Sequence, residues 1–202
     1  FEDVIPAGER TLTIEFQGIH NDQMAGFYRS RYKNIKGEQK IMLSTQFEAL
    51  DARRCFPCVD EPAAKASFKC TLVCKSGLQA LSNMPVERQS QEKNGELTRF
   101  EFMTTPVMST YLLAFCVGEF DFVAATTKHG VSIRVFTPPG RSEQGRFALD
   151  VAVRTLDLYD DFFGIPYPLP KLDMIAIMEF AAGAMENWGL VTYVIMKLSL
   201  EH

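Results

Sequence analysis

Short runs of alternating apolar and polar residues, punctuated by turn residues, fill the first 136 positions and leave this chain little alternative to antiparallel β-structure. From Arg10 to His20, Leu12, Ile14 and Phe16 fall on one side and Thr11, Thr13 and Glu15 on the other, the period-2 signature of a half-buried strand. Asn21-Asp22 and Gly26 mark a turn, Phe27 to Ile35 continues with Tyr28 and Tyr32 on one face, and Lys36-Gly37-Glu38 precedes a further run, Gln39 to Gln46. Ser67 to Cys74, Leu78 to Ser82, Leu97 to Thr105, Tyr111 to Glu119 and Val131 to Phe136 are the remaining strands expected in this part. Strands this short and closely spaced predict an antiparallel sandwich or curved sheet.

At Thr137-Pro138-Pro139-Gly140 the composition changes, which marks a boundary between residues 1–136 and 137–202. One helix follows. Ser142 stands where a cap would, Glu143 lies in the first turn, Phe147, Val151, Leu158 and Phe162 form an apolar stripe, and Gly164 and Pro166 end it. The proline-rich Ile165 to Pro170 leads into a short apolar strand, Met174 to Met178.

Composition narrows the function. A formal charge of −4, with Arg53-Arg54 the only adjacent basic pair, speaks against a nucleic-acid partner. No apolar run approaches the length of a membrane span, and Phe1-Glu-Asp-Val4 is not the basic opening of a signal peptide. Five cysteines and no Asn-x-Ser/Thr acceptor lean towards a reducing, cytoplasmic setting.

The densest chemistry lies in Gly183-Ala184-Met185-Glu186-Asn187, followed by Trp188-Gly-Leu190. A glycine and a small residue let another backbone lie close, and a carboxylate follows, an arrangement suited to holding one end of an extended peptide by its free amine. Together with Thr45-Gln-Phe-Glu-Ala-Leu-Asp-Ala-Arg-Arg54 running into Phe56 to Pro62, and with Phe162-Phe-Gly-Ile-Pro-Tyr-Pro168 before Lys171-Leu-Asp173, this motif resembles the M1 family of zinc aminopeptidases, in the family's order. The resemblance implies a mainly β chain: a saddle-like antiparallel β-sandwich over residues 1–136, then the α+β opening of a thermolysin-like catalytic domain, cut short. It also implies roles. Glu186 and Glu48 would bind the substrate's α-amine, Gln46 would line the first side-chain pocket, and Gly183, Ala184 and Met185, with Asn187 beside them, would meet the peptide main chain. Two carboxylates facing an ammonium make charge-assisted hydrogen bonds, and an added edge strand gives affinity without demanding one sequence.

The chain departs from that family in two ways. It holds only His20, His129 and His202, with no His-Glu-x-x-His pair, so it is expected to bind no zinc and, alone, not to hydrolyse peptides. The family continues Thr-Tyr with Arg-Glu, whereas Thr192-Tyr193 here runs into Val194-Ile195-Met196-Lys197, and Leu200-Glu-His202 has the look of an appended tag. The other readings are a non-catalytic β-sandwich module that binds a peptide or protein, and a small zinc domain built on Cys55, Cys58, Cys70 and Cys74. The alternation of Cys70 and Cys74 with Phe68 and Leu72 favours core cysteines over the latter. Asp60-Glu61-Pro62 reads as a turn, with Arg53 and Arg54 pairing such acids.

Overall fold

The computed structural model describes residues 7–195; Phe1 to Val4, Met196, Lys197 and Leu200 to His202, considered above, lie outside them. Asn21 builds the first turn: its side-chain oxygen accepts the Gln23 N–H at 2.8 Å and its amide donates to the Ala25 carbonyl at 2.9 Å. Strand β1 (Gly26–Lys33) then pairs antiparallel along its whole length with β2 (Gln39–Gln46), from Gly26 opposite Gln46 to Lys33 opposite Gln39. Tyr28 and Tyr32 are buried together, as their spacing predicts.

These strands open a four-stranded antiparallel sheet completed by β7 (Phe115–Gly118) and β4 (Gln79–Ser82) in the order β1-β2-β7-β4. A three-stranded antiparallel sheet of β3 (Thr71–Lys75), β6 (Leu97–Phe102) and β5 (Val86–Glu92) packs on it. Ala80, Val117 and Leu43 from one sheet meet Phe100, Phe102, Leu72 and Cys74 from the other, giving the expected sandwich core. Every residue of β7 is buried, because the four-stranded sheet is covered on both faces.

Its other face meets a five-stranded sheet in the order β11-β12-β10-β9-β8, made of β8 (Asp121–Thr126), β9 (Ser132–Thr137), β10 (Lys171–Ile177), β11 (Ala184–Met185) and β12 (Leu190–Val194). The pairs β8–β9 and β11–β12 are antiparallel, while β9–β10 and β10–β12 are parallel. This sheet takes strands from both sides of the Thr137–Gly140 break. One core runs from Met42, Phe47, Leu81 and Phe115 of the first layers to Ile175, Ile177, Met185 and Leu190. The parallel crossover from β9 to β10 carries α1 (Arg146–Phe163), whose Leu149 and Leu156 pack on Val123, Ile133 and Val135. The chain is thus mainly β with antiparallel sheets and one α-helix among the described residues.

Four expectations change. Arg10 to His20 is not a strand: Leu12, Ile14 and Phe16 are exposed, and no described strand pairs with the segment, so its alternation has no partner to satisfy it. The helix buries Leu149 and Leu156 rather than Phe147, Val151, Leu158 and Phe162, of which Phe147 is 80% and Phe162 76% exposed. Both faces are apolar in sequence, and it is the Leu149 and Leu156 face that packs on the sheet, with Gly145 just before the helix seated so close that a Cβ would meet Val135 at 2.9 Å. Ser142 does not cap: Ser142–Gly145 is a 3-10 turn, and the α-helix starts at Arg146, although Gly164 does end it in the left-handed region at φ 63°. Strands β5 and β8 were not expected, and Tyr111 to Glu119 opens as a 3-10 turn (Thr110–Leu112) before β7. No helix among the described residues is long and apolar enough to cross a membrane.

Candidate functional site

Two anchors set the candidate site. At the end of β2, Phe47 is fully buried and packs edge-on against Phe115 and Phe56, with ring centroids 6.0 Å and 6.1 Å away. Of the residues beside it, Glu48 is exposed, whereas Gln46 is half-buried and its side-chain oxygen Oε1 is enclosed with no hydrogen-bond partner among the described residues. The Asp51 N–H closes the turn over Glu48 by donating to the Phe47 carbonyl at 2.9 Å, and the Glu48–Ala49 peptide is cis. Downstream, buried Asp60 pins the loop. Its carboxylate accepts the Thr110 hydroxyl at 2.7 Å and the Arg53 N–H at 3.0 Å, with the Arg53 guanidinium at 3.4 Å. Burial would raise the Asp60 carboxyl, but these bonds outweigh it and hold it below its ordinary value. Glu61 takes no part in an acid pair; its carbonyl closes a turn with the Ala64 N–H at 3.0 Å, while Arg54 pairs with Asp51 at 3.4 Å.

The second anchor is Met185, 1% exposed and part of the same core as Phe47. It sits in β11, the terminal strand of its sheet, with Ala184 opposite Tyr193 and Met185 opposite Thr192. The outer edge of β11 has no strand partner among the described residues. Gly183, Ala184 and Glu186 are exposed, and a Cβ at Gly183 would meet only open space. Asn187 turns inward: it is 2% exposed, and its side-chain amide donates to the Leu190 carbonyl at 3.2 Å while Leu190 N–H returns to the Asn187 carbonyl at 3.1 Å. The motif therefore offers a free strand edge ending in a solvent-facing carboxylate, fixed by a buried methionine before it and a closed turn after it.

The sequence did not reveal what holds that turn. Gly189 has φ +74°, and a Cβ there would lie 2.2 Å from the Asn83 carbonyl oxygen, so only glycine fits. Fully buried Asn83, just past β4, uses both ends of its amide: Oδ1 accepts the Ala114 N–H at 2.9 Å, and Nδ2 donates to the Leu112 carbonyl at 2.8 Å and the Trp188 carbonyl at 2.7 Å. Beside it, buried Lys171 donates to the Ser82 carbonyl at 2.6 Å and the Gly189 carbonyl at 2.7 Å, and pairs with Asp173 at 2.7 Å. Asp173 also takes a two-pronged contact from Arg134 at 2.7 Å for each bond. Burial pushes the Lys171 ammonium down to about 8, with Asp173 drawing it partly back. The one signal for this cluster in sequence is the Lys171-Leu-Asp173 alternation, which places both charges on one face of a buried strand.

No three His, Cys, Asp or Glu side chains among the described residues are grouped to hold a metal ion, so none is assigned as a ligand of the family's zinc. His20 packs edge-on against Phe27, and His129 lies 4.0 Å from Asp161. Cys55, Cys58 and Cys70 lie partly buried against the main core, and Cys70 and Cys74 against the sandwich core. Burial raises the thiols of all four, Cys55 to about 11 with Cys70 and Cys58 adding to the effect, as expected of thiols packed among apolar side chains.

Residues 2–112 match the Peptidase M1 N-terminal domain and residues 147–201 the Peptidase family M1 domain. Aminopeptidase M1-B of Oryza sativa subsp. japonica is 58% identical over 193 residues, which is 96% of this chain and 22% of that protein. The puromycin-sensitive aminopeptidase of Caenorhabditis elegans is 52% identical over 182 residues (90% and 19%), and the alanine/arginine aminopeptidase of Saccharomyces cerevisiae 50% over 202 residues (100% and 23%). The chain spans about a fifth of the length of these relatives. With more than half of its length matched by the first of these domain models, the chain belongs to peptidase family M1.

Proposed function

We propose that this chain carries the part of an aminopeptidase that recognises the free N-terminus of a peptide. The observation that supports it best is the outer edge of β11, which has no strand partner among the described residues, leads to exposed Glu186 and shares a core, through Met185 and Phe47, with the turn that bears Glu48. An extended peptide would add to that edge through the backbone of Gly183, Ala184 and Met185. Its ammonium would lie between Glu48 and Glu186, and Gln46, half-buried at the end of β2, would line the pocket for the first side chain. Asn187 would contribute by shaping the turn rather than by direct contact, since its amide is already bonded.

Fixing the amine counts residues from the chain end, so that only the first peptide bond reaches the reacting position. When bound, the zinc of family enzymes supplies a Lewis acid and an activated water. This chain's own residues bind and orient; with no His-Glu-x-x-His pair in its sequence, we propose that by itself it binds peptides without cleaving them. Calorimetric titration with a short peptide tests the reading. Glu186→Gln and Glu48→Gln should each weaken binding roughly ten- to a hundredfold, the worth of a hydrogen bond to a charged group. Unchanged affinity in both variants would reject it.

A further inference from the structure

We propose that Asn83 and Lys171 are positioning residues that set Glu186 relative to Glu48, an inference that rests on the amine-site reading above. The two carboxylates sit on segments more than a hundred residues apart in the chain, and neither side chain makes a hydrogen bond or ion pair to another described residue. What fixes their separation must be the connection between their supports.

Asn83 makes that connection in one residue. Its Oδ1 accepts from Ala114, the neighbour of the Phe115 ring that packs on Phe47, next to Glu48. Its Nδ2 donates to the carbonyl of Trp188, two residues beyond Glu186. A second tie holds Phe115 to the same strand as Glu48's anchor: its N–H donates to the Thr45 hydroxyl at 3.1 Å. Lys171 repeats the link from the other side, joining the carbonyl of Ser82, beside Asn83, to that of Gly189. The Asp173 N–H adds a third bond, to Gly189 at 3.0 Å.

This arrangement is costly, which argues for a use. Lys171 is 4% exposed, and its three ammonium donors are directed to two backbone carbonyls and one carboxylate. A buried ion pair used only to close a core can often be replaced whole by apolar side chains without loss, whereas an ammonium that also bonds carbonyls of two different segments fixes their register. The glycine at 189 completes the device, because any side chain there would push the Trp188 turn off Asn83.

The test compares a short free-amine peptide with its N-acetylated form against the whole 202-residue chain, for wild type, Lys171→Met, Asn83→Asp and Glu186→Gln. Hydrogen exchange is read alongside. The wild type should prefer the free amine at least tenfold. Lys171→Met and Asn83→Asp should bring that preference close to unity while leaving affinity for the acetylated peptide unchanged, and the Leu190 and Val194 amides should exchange at least tenfold faster with the β1–β2 amides unaffected. If Lys171→Met does not fold, Asn83→Ser, which shortens the bracket and keeps a hydroxyl, carries the same comparison. Retained preference in folded variants overturns the positioning role and leaves the amine site standing, even if exchange is faster. A wild type without preference, matched by Glu186→Gln, overturns the amine site and the positioning role with it.

Discussion

The side-chain amide of Asn83 donates to the backbone carbonyl of Trp188 at 2.7 Å, across 105 positions of sequence. That single bond ties the end of a sandwich strand to the turn behind the Gly183–Asn187 motif, and the packing around it leaves no slack. Gly189→Ala should therefore be severely destabilising. A methyl group there meets the Asn83 carbonyl at 2.2 Å, with the backbone already at φ +74°. A loss of about 2–4 kcal/mol is expected from strain and overpacking together. Urea unfolding measures it, and Gly183→Ala, with open space around it, is the control expected to cost little.

Asp173 is held between Arg134 and Lys171 with only 1% of its surface exposed. Asp173→Leu strands two cations, one of them fully enclosed, and should cost about 3–5 kcal/mol. The double variant Asp173→Leu/Lys171→Met removes the enclosed charge along with its partner and should lose clearly less than the two single variants summed. A double-mutant cycle by denaturant unfolding reads the coupling; simple additivity would show that the pair acts independently.

Cys116 is fully buried, and burial pushes its thiol up to about 12 from an ordinary value of 9.0. Between these values the unfolded chain releases the proton first. The stability linked to this thiol is thus complete below about 9 and is lost as pH rises towards 12. Lys171 slopes the other way, since its lowered value means that the unfolded chain keeps its proton longer. The contribution of Cys116 is therefore read as the difference between wild type and Cys116→Ala, which should narrow steadily between pH 9 and 11. A difference constant with pH would contradict the burial argument.

The outer face of α1 carries Phe147, Leu158, Phe162 and Phe163, each at least 60% exposed. Apolar surface of this kind drives association in water. Light scattering should show concentration-dependent self-association of the chain, reduced by Phe147→Lys/Phe162→Lys without change in the unfolding midpoint.

Alternation made much of this fold legible. The run from Gln39 to Gln46 is a strand over that whole span, and Tyr28 and Tyr32 are buried as their spacing requires. The same rule failed for Arg10 to His20 because a period-2 pattern records only a capacity to pair, and no described strand lies beside it. It also missed β5, whose Val86-Glu-Arg-Gln-Ser-Gln-Glu92 sequence is polar because the strand is an edge exposed to solvent. In the helix, two apolar faces competed, and the choice between Leu149 and Phe147 was made by the sheet beneath, not by the helix itself. At the candidate site the motif residues were legible as a set, whereas the inward turn of Asn187 beyond exposed Glu186 depends on its bonds to Leu190. Asn83 gave no signal at all, because a lone asparagine ahead of Met84-Pro85 reads as any other turn residue until its partners are known.

The most direct test of the amine-recognition account uses Trp188, the only tryptophan of the chain, two residues beyond Glu186 and 42% exposed. Its fluorescence is followed while a tryptophan-free peptide is added with its N-terminus free and, separately, acetylated. The account expects a saturable change with the free amine at a concentration at least tenfold lower than with the acetylated peptide, and loss of that difference in Glu186→Gln. Identical titrations of the two peptides in the wild-type chain would contradict it.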